Sequence, residues 1–123
     1  VLTEVMRYNS AEVPTKMGTF SQYQYPHTLA RYAEIGRFVG LTGKNDQEVF
    51  EKLLAKLEDL MRTIEIKPTI KDYGVDEKYF LDTLDDMVEQ AFNDQCTGAN
   101  PRYPLMSELK EIYLKAYYGT ENK

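Results

Sequence analysis

The chain has 123 residues, 42% of them hydrophobic and 28% charged, with a net charge of −5. That length allows one domain or part of one, and the composition is that of a globular protein rather than a disordered one. The acid excess argues against a nucleic-acid partner, because phosphate binding needs a basic surface, and no apolar run approaches the roughly 18 residues of a membrane span.

The single cysteine, Cys96, cannot form an internal disulfide. No secretory leader is expected and no Asn-x-Ser/Thr acceptor occurs, and the expectation is a cytoplasmic protein. The first residues already read as helix: Val1, Val5 and Tyr8 fall on one face at i, i+4, i+7, and no capping residue precedes them. A chain cut from something longer is expected. Residues 9–26 show no period and contain Pro14, Gly18 and Pro26, yet they carry Met17, Phe20, Tyr23 and Tyr25. Two readings stand for so long a structureless stretch: a loop wrapped over its own helices, or one that packs on a missing partner domain.

Pro26 suits a first helical turn, and Leu29, Tyr32, Ala33, Ile35 and Phe38 give an apolar stripe over a helix at 27–39 that Gly40 ends. Gly43 and Lys44 make a turn. Asn45 with Glu48 three later resembles a capping box and opens a helix over 46–64. Its Val49, Phe50, Leu53, Leu54, Leu57, Leu60, Met61 and Ile64 recur at three and four, with Leu57 expected at the centre. Pro68 stops that run, and Thr69, Asp72 and Gly74 frame a short helical turn. Asp76 is expected to cap a helix to residue 93 with Phe80, Leu84, Met87, Val88, Ala91 and Phe92 as its stripe. Ser107 is expected to cap the last helix, which runs to residue 118 with Leu109, Ile112, Tyr113 and Ala116 on one face and ends at Gly119. The tail from residue 120 should fray. With no strand pattern and no repeat, the prediction is an all-α array of about five to six helices joined by short connections apart from two long loops.

The second of those loops, Phe92-Asn93-Asp94-Gln95-Cys96-Thr97-Gly98-Ala99-Asn100-Pro101-Arg102-Tyr103-Pro104, holds the densest chemistry. Binding residues gather on such loops when a rigid scaffold positions them. Cys96 has three readings: a nucleophile, which would need a base; a small buried apolar residue; or a residue lining a substrate cleft without reacting. The last two are favoured. Asp94, Asn100 and Arg102 are expected to fix the loop by bonding its backbone or one another. The seven glycines are scattered, so no phosphate cradle is built. A catalytic metal needs three or four ligands, and His27 is the only histidine, so neither a metal nor a nucleotide site is expected on this chain alone. His27 itself is expected to be structural or exposed, and Glu48, Glu51, Glu58 and Asp59 to form a solvated face. Ten tyrosines without tryptophan hint at an interface; Tyr113, Tyr117 and Tyr118 are not expected all to face one core.

The segments Met6-Arg7-Tyr8-Asn9, Phe20-Ser21-Gln22-Tyr23, Arg31-Tyr32-Ala33-Glu34-Ile35, Asp94 through Leu105 and Tyr117-Tyr118-Gly119 together resemble the C-terminal end of bifunctional aldehyde-alcohol dehydrogenases. The shorter Asp-x-Cys-Thr-x-x-Asn-Pro-Arg is similar to the signature of iron-dependent alcohol dehydrogenases generally. The resemblance implies that residues 1–123 are the C-terminal helical subdomain of the alcohol dehydrogenase half. The family takes acetyl-CoA through acetaldehyde to ethanol with NADH, and holds iron by one Asp and three His in a cleft between a nucleotide-binding part and a helical part. It places those ligands upstream of Val1, so none of the iron or NAD residues carries over. It further implies that Cys96 faces substrate or nicotinamide, that the partner is the upstream nucleotide-binding part of the same polypeptide, that the parent forms a homo-oligomer or filament, and that this piece is inactive alone. The rivals are a non-catalytic helical interaction module and an autonomous thiol enzyme built on Cys96.

Overall fold

The computed structural model of the chain describes residues 1–11 and 27–120. Its helices are α1 (Leu2–Ser10), α2 (Thr28–Phe38), α3 (Asp46–Thr63), α4 (Glu77–Asn93) and α5 (Met106–Tyr118), with 3-10 turns at Lys71–Tyr73 and Thr97–Ala99. No strand occurs among the described residues, so the fold is all-α, as the periodicity predicts. Asn9 and Ser10, expected in the first long loop, instead complete α1 and are buried. The rest of that loop, with Met17, Phe20, Tyr23, Tyr25 and Pro26, lies outside the described residues, as does the tail beyond Thr120.

Two apolar cores form. In the first, α2 lies along α3, and Met6, Phe50, Leu53 and Leu54 are buried with Leu29, Tyr32, Leu41 and Leu57 against them. Tyr32 stacks on Phe50 with ring centroids 5.4 Å apart. The helices approach most closely where a Cβ on Gly36 would stand 2.7 Å from Val49 Cγ1, so only glycine fits there without displacement. This corrects two expectations. Ala33 and Gly36 are the buried positions of α2, while Ile35 and Phe38 point outward. Leu57 is only half-buried, and Leu60 and Ile64 are exposed. The reason is length: α2 has 11 residues and α3 has 18, so α2 covers only the N-terminal half of its neighbour.

The start of α3 is chemically defined. Asn45 Oδ1 accepts from Glu48 N at 2.9 Å, while the Glu48 carboxylate reaches back to Lys44 N at 3.0 Å rather than to Asn45 N. The box is thus displaced by one residue, and it still satisfies two orphan donors.

In the second core, Phe80, Leu84 and Val88 of α4 pack on Tyr117 of α5. The Phe80 and Tyr117 rings stack at 4.2 Å, and the Tyr117 hydroxyl donates to Val75 O at 2.8 Å, so the ring is buried without an orphaned donor. Tyr118 meets Tyr117 edge-on at 4.8 Å and donates to Glu77 Oε1 at 2.6 Å. Tyr113, Tyr117 and Tyr118 therefore all pack on one core, contrary to expectation. The edge-on contact lets two successive residues share it, because the outer ring keeps its polar tip toward the surface.

Asp76 caps α4 as predicted, accepting from Tyr79 N at 2.9 Å. Ser107 does not cap α5. The helix begins at Met106 with Leu105 at the N-cap, and the Glu108 carboxylate accepts from Leu105 N at 2.8 Å. A carboxylate in the first turn is a stronger acceptor than a hydroxyl and is favoured by the helix dipole, so it sets the boundary.

Helix α1 joins the halves, touching α2, α3 and α5. Its Met6 enters the first core, and its Arg7 pairs with Glu51 and Glu58 of α3, each at 3.2 Å. Those two glutamates, expected to be merely solvated, thus anchor α1.

Candidate functional site

The loop between α4 and α5 is held by its own side chains and by α1. Asp94 Oδ1 accepts from Cys96 N at 2.7 Å, and the Thr97 hydroxyl donates to Ala91 O. Asn100 and Asn9 exchange amide hydrogen bonds at 2.6 and 3.1 Å, and Asn100 Nδ2 also donates to Arg102 O at 2.6 Å. The Arg102 guanidinium donates to Tyr8 O at 3.0 Å and to Glu108 Oε1 at 2.8 Å, and lies 4.0 Å from the Tyr8 ring centroid. The Tyr8 hydroxyl in turn donates to Glu108 Oε2 at 2.7 Å. Phe92 and Tyr103 close the loop's base in an edge-on contact at 6.3 Å.

The charges in this clasp are well defined. Burial alone would raise the Glu108 pKa, but the Leu105 N–H, the Tyr8 hydroxyl and Arg102 outweigh it and hold the carboxyl below the usual carboxylate range. Burial, then the hydrogen bond to Glu108, push the Tyr8 phenol well above its ordinary value. At neutral pH Tyr8 is therefore a donor and Glu108 an ionised acceptor.

Beside the clasp lies an open groove of about 520 Å³ between α1, the loop and α5. Val5, Tyr8, Cys96, Pro101, Leu109 and Ile112 are among its lining residues. Cys96 is exposed and free, which overturns the reading of it as a small buried apolar residue. Asn100 also faces the groove, whereas Arg102 and Glu108 line a smaller recess of about 220 Å³ that Tyr8 borders as well. Asp94 is exposed. His27 stands at the exposed start of α2 and does not line the groove, so no histidine sits beside Cys96 there to act as its base. The groove can bury apolar matter, with a thiol and an amide at its edge.

Tyr8, Asn9 and Glu108 are site residues that the sequence reasoning misses. Tyr8 lies 100 positions from Glu108 and Asn9 lies 91 from Asn100, and no local pattern encodes those contacts; only the bonds of Glu108 to Leu105 N and Arg102 are local. The one available signal was that Tyr8 and Asn9 fall inside a segment that carries the family resemblance.

Residues 1–117 match the model of the Fe-containing alcohol dehydrogenase family, C-terminal. The chain belongs to this family. It is 49% identical over 123 residues to the bifunctional aldehyde-alcohol dehydrogenase AdhE of Escherichia coli K12, a match covering 98% of this chain and 14% of that protein. An aldehyde-alcohol dehydrogenase of Clostridium acetobutylicum is 42% identical over 117 residues, covering 95% of this chain and 14% of its own length. The NADPH-dependent butanol dehydrogenase of Clostridium saccharobutylicum is 37% identical over 94 residues, covering 76% of this chain and 24% of that protein. The chain thus spans a small part of the relatives it matches.

The family name implies iron. Among the described residues, no three His, Cys, Asp or Glu side chains gather closely enough to hold a metal ion, so these residues do not fit it. No described helix is long and apolar enough to cross a membrane.

Proposed function

We propose that residues 1–123 are the C-terminal helical subdomain of an NADH- and iron-dependent alcohol dehydrogenase that converts acetaldehyde to ethanol within a bifunctional, acetyl-CoA-reducing polypeptide. This piece forms one wall of the cleft. Cys96 lines that cleft without reacting, and Asp94, Asn100 and Arg102 hold the loop that carries it. Iron and nicotinamide are bound by the upstream part of the same polypeptide, which is the partner of this chain. The parent is cytoplasmic and assembles into a homo-oligomer or filament. The chain by itself is inactive.

The observation that carries this reading is the groove of about 520 Å³ with the exposed Cys96 at its edge, built by the loop that bears the family signature. An apolar concavity with a few polar groups is the usual form of a small-molecule site. The test is complementation. The chain is mixed with the upstream part of such a dehydrogenase and ferrous iron, and NADH oxidation is followed with acetaldehyde. Activity in the mixture alone is expected; turnover by the chain alone would overturn the proposal.

A second reading, a non-catalytic interaction module, draws on one observation. Phe38 is 91% exposed, and Ile35 and Val39 beside it are exposed too, an apolar patch that does not line the groove. A folded, monomeric chain with no activity in the mixture would favour it.

A further inference from the structure

Given the cleft-wall reading, we infer that Tyr8 and Glu108 are positioning residues: they lock α1 to the 94–105 loop and so set the width of the groove that Cys96 lines. The two sides of the groove come from opposite ends of the chain. Val5 and Tyr8 stand on α1, and Cys96, Asn100 and Pro101 stand on the loop. Some 88 positions of chain separate Tyr8 from Cys96 (96 − 8 = 88), so the spacing of these walls depends on noncovalent contacts.

Those contacts converge on one ring. Tyr8 borders both the groove and the recess that holds Arg102 and Glu108. Its hydroxyl reaches Glu108 Oε2 at 2.7 Å and Tyr103 O at 3.3 Å; its carbonyl accepts from Arg102 at 3.0 Å; its face lies 4.0 Å from the Arg102 guanidinium. Glu108 spends its other contacts on Arg102 and on Leu105 N, the last residue of the loop before α5. One carboxylate therefore holds the end of the loop, the loop's arginine and α1 at once. The hydrogen bonds to this ionised group are charge-assisted and strong, and partial burial keeps solvent from competing for them. The Asn9–Asn100 pair adds a second bridge between α1 and the loop. Arg7 ties α1 to α3 through Glu51 and Glu58, and Met6 enters the α2/α3 core, so α1 has an anchor independent of the clasp. Loosening Tyr8 or Glu108 then widens the groove rather than moving it as a unit.

The test uses the full-length polypeptide that carries this chain, with Tyr8→Phe, Glu108→Gln, the double variant, and Ser107→Ala as an exposed control on the same helix. Two quantities are read: the rate of alkylation of Cys96 by N-ethylmaleimide, located by peptide mass spectrometry, and kcat and KM for acetaldehyde. Tyr8→Phe and Glu108→Gln should each change the alkylation rate by about ten-fold, the scale of one hydrogen bond to a charged group. The double variant should exceed Glu108→Gln by less than the full Tyr8→Phe effect, because the two substitutions share the Tyr8–Glu108 bond while Glu108→Gln also weakens the contacts to Arg102 and Leu105 N. KM should rise by a similar factor with kcat held within about two-fold, the pattern of a lost binding wall. Unchanged alkylation in both single variants overturns the inference. So does changed alkylation with unchanged KM, which would mark the clasp as structural only. If Glu108→Gln does not fold, Tyr8→Phe, which keeps the ring, decides by the same readouts. If the wild-type polypeptide reduces no acetaldehyde, or acetaldehyde with NADH does not slow alkylation of Cys96, the cleft-wall reading fails; the clasp then stands or falls on the alkylation rates of the variants.

Discussion

The two halves of this molecule are stabilised by different means. The α2/α3 half relies on a close helix approach over aliphatic side chains, with glycine at the crossing, and leaves the far end of α3 uncovered. The α4/α5 half adds to its aliphatic side chains a set of aromatic rings, of which Tyr117 and Tyr118 have their hydroxyls tied back to Val75 O and Glu77. The difference bears on function. A core closed by directional hydrogen bonds holds its surface loops in one geometry, and the 94–105 loop grows from that half. The α2/α3 half anchors α1 through Met6 and the Arg7 ion pairs.

That contrast can be broken most directly at the two centres. Phe80→Ala removes the ring stacked on Tyr117 and should cost about 3–5 kcal/mol, while Leu54→Ala in the other core should cost about 2–5 kcal/mol. Urea unfolding followed by circular dichroism measures both, and Leu57→Ala, half-buried, should fall clearly below Leu54→Ala. Equal losses at positions 54 and 57 would contradict the view that α2 covers only half of α3.

The next effect is a change of sign against helix propensity. Gly36→Ala gains about 1 kcal/mol of intrinsic helix stability, yet the new Cβ meets Val49 Cγ1 at 2.7 Å in a fully buried contact. Overpacking of this kind costs about 1–3 kcal/mol, so the net result should be a lower melting temperature. A higher one would mean that α2 and α3 are free to move apart.

Capping separates the halves less. Asp76→Ala should cost about 1 kcal/mol, because it orphans Tyr79 N at the start of α4. Acid probes the clasp. The Glu108 carboxyl lies below its unfolded range in the folded chain, so its contribution is complete above an unfolded pKa of about 4.3 and is lost as pH falls through the lower folded value. Glu108→Gln should therefore lower stability at neutral pH and flatten the loss of stability on acidification below that pH. An unchanged acid limb would place the sensitivity in other carboxylates. Ser107→Ala should change stability by less than about 0.5 kcal/mol, since Glu108, not Ser107, satisfies the start of α5.

Much of this was readable along the chain. Asn45 and Asp76 cap the helices that follow them, the three- and four-residue spacing of Val49, Phe50, Leu53 and Leu54 marks a buried face, and Gly74 and Gly119 adopt positive φ where turns require it. These features depend on contacts within a few residues, where side-chain chemistry and backbone geometry suffice. The family also lay in a short run, the loop around Cys96. What the periodicity of α3 could not show is where burial stops, because that depends on the length of α2. Nor could it show that Glu108 outcompetes Ser107, or that three neighbouring tyrosines share a core, since both follow from what each group meets in space. The clasp is the extreme case. Asn100 and Arg102 are legible as loop-fixing residues, but their bonds to Asn9 and Tyr8, and that of Tyr8 to Glu108, exist only once α1 is laid against the loop some 90 to 100 positions away, and packing alone brings them together.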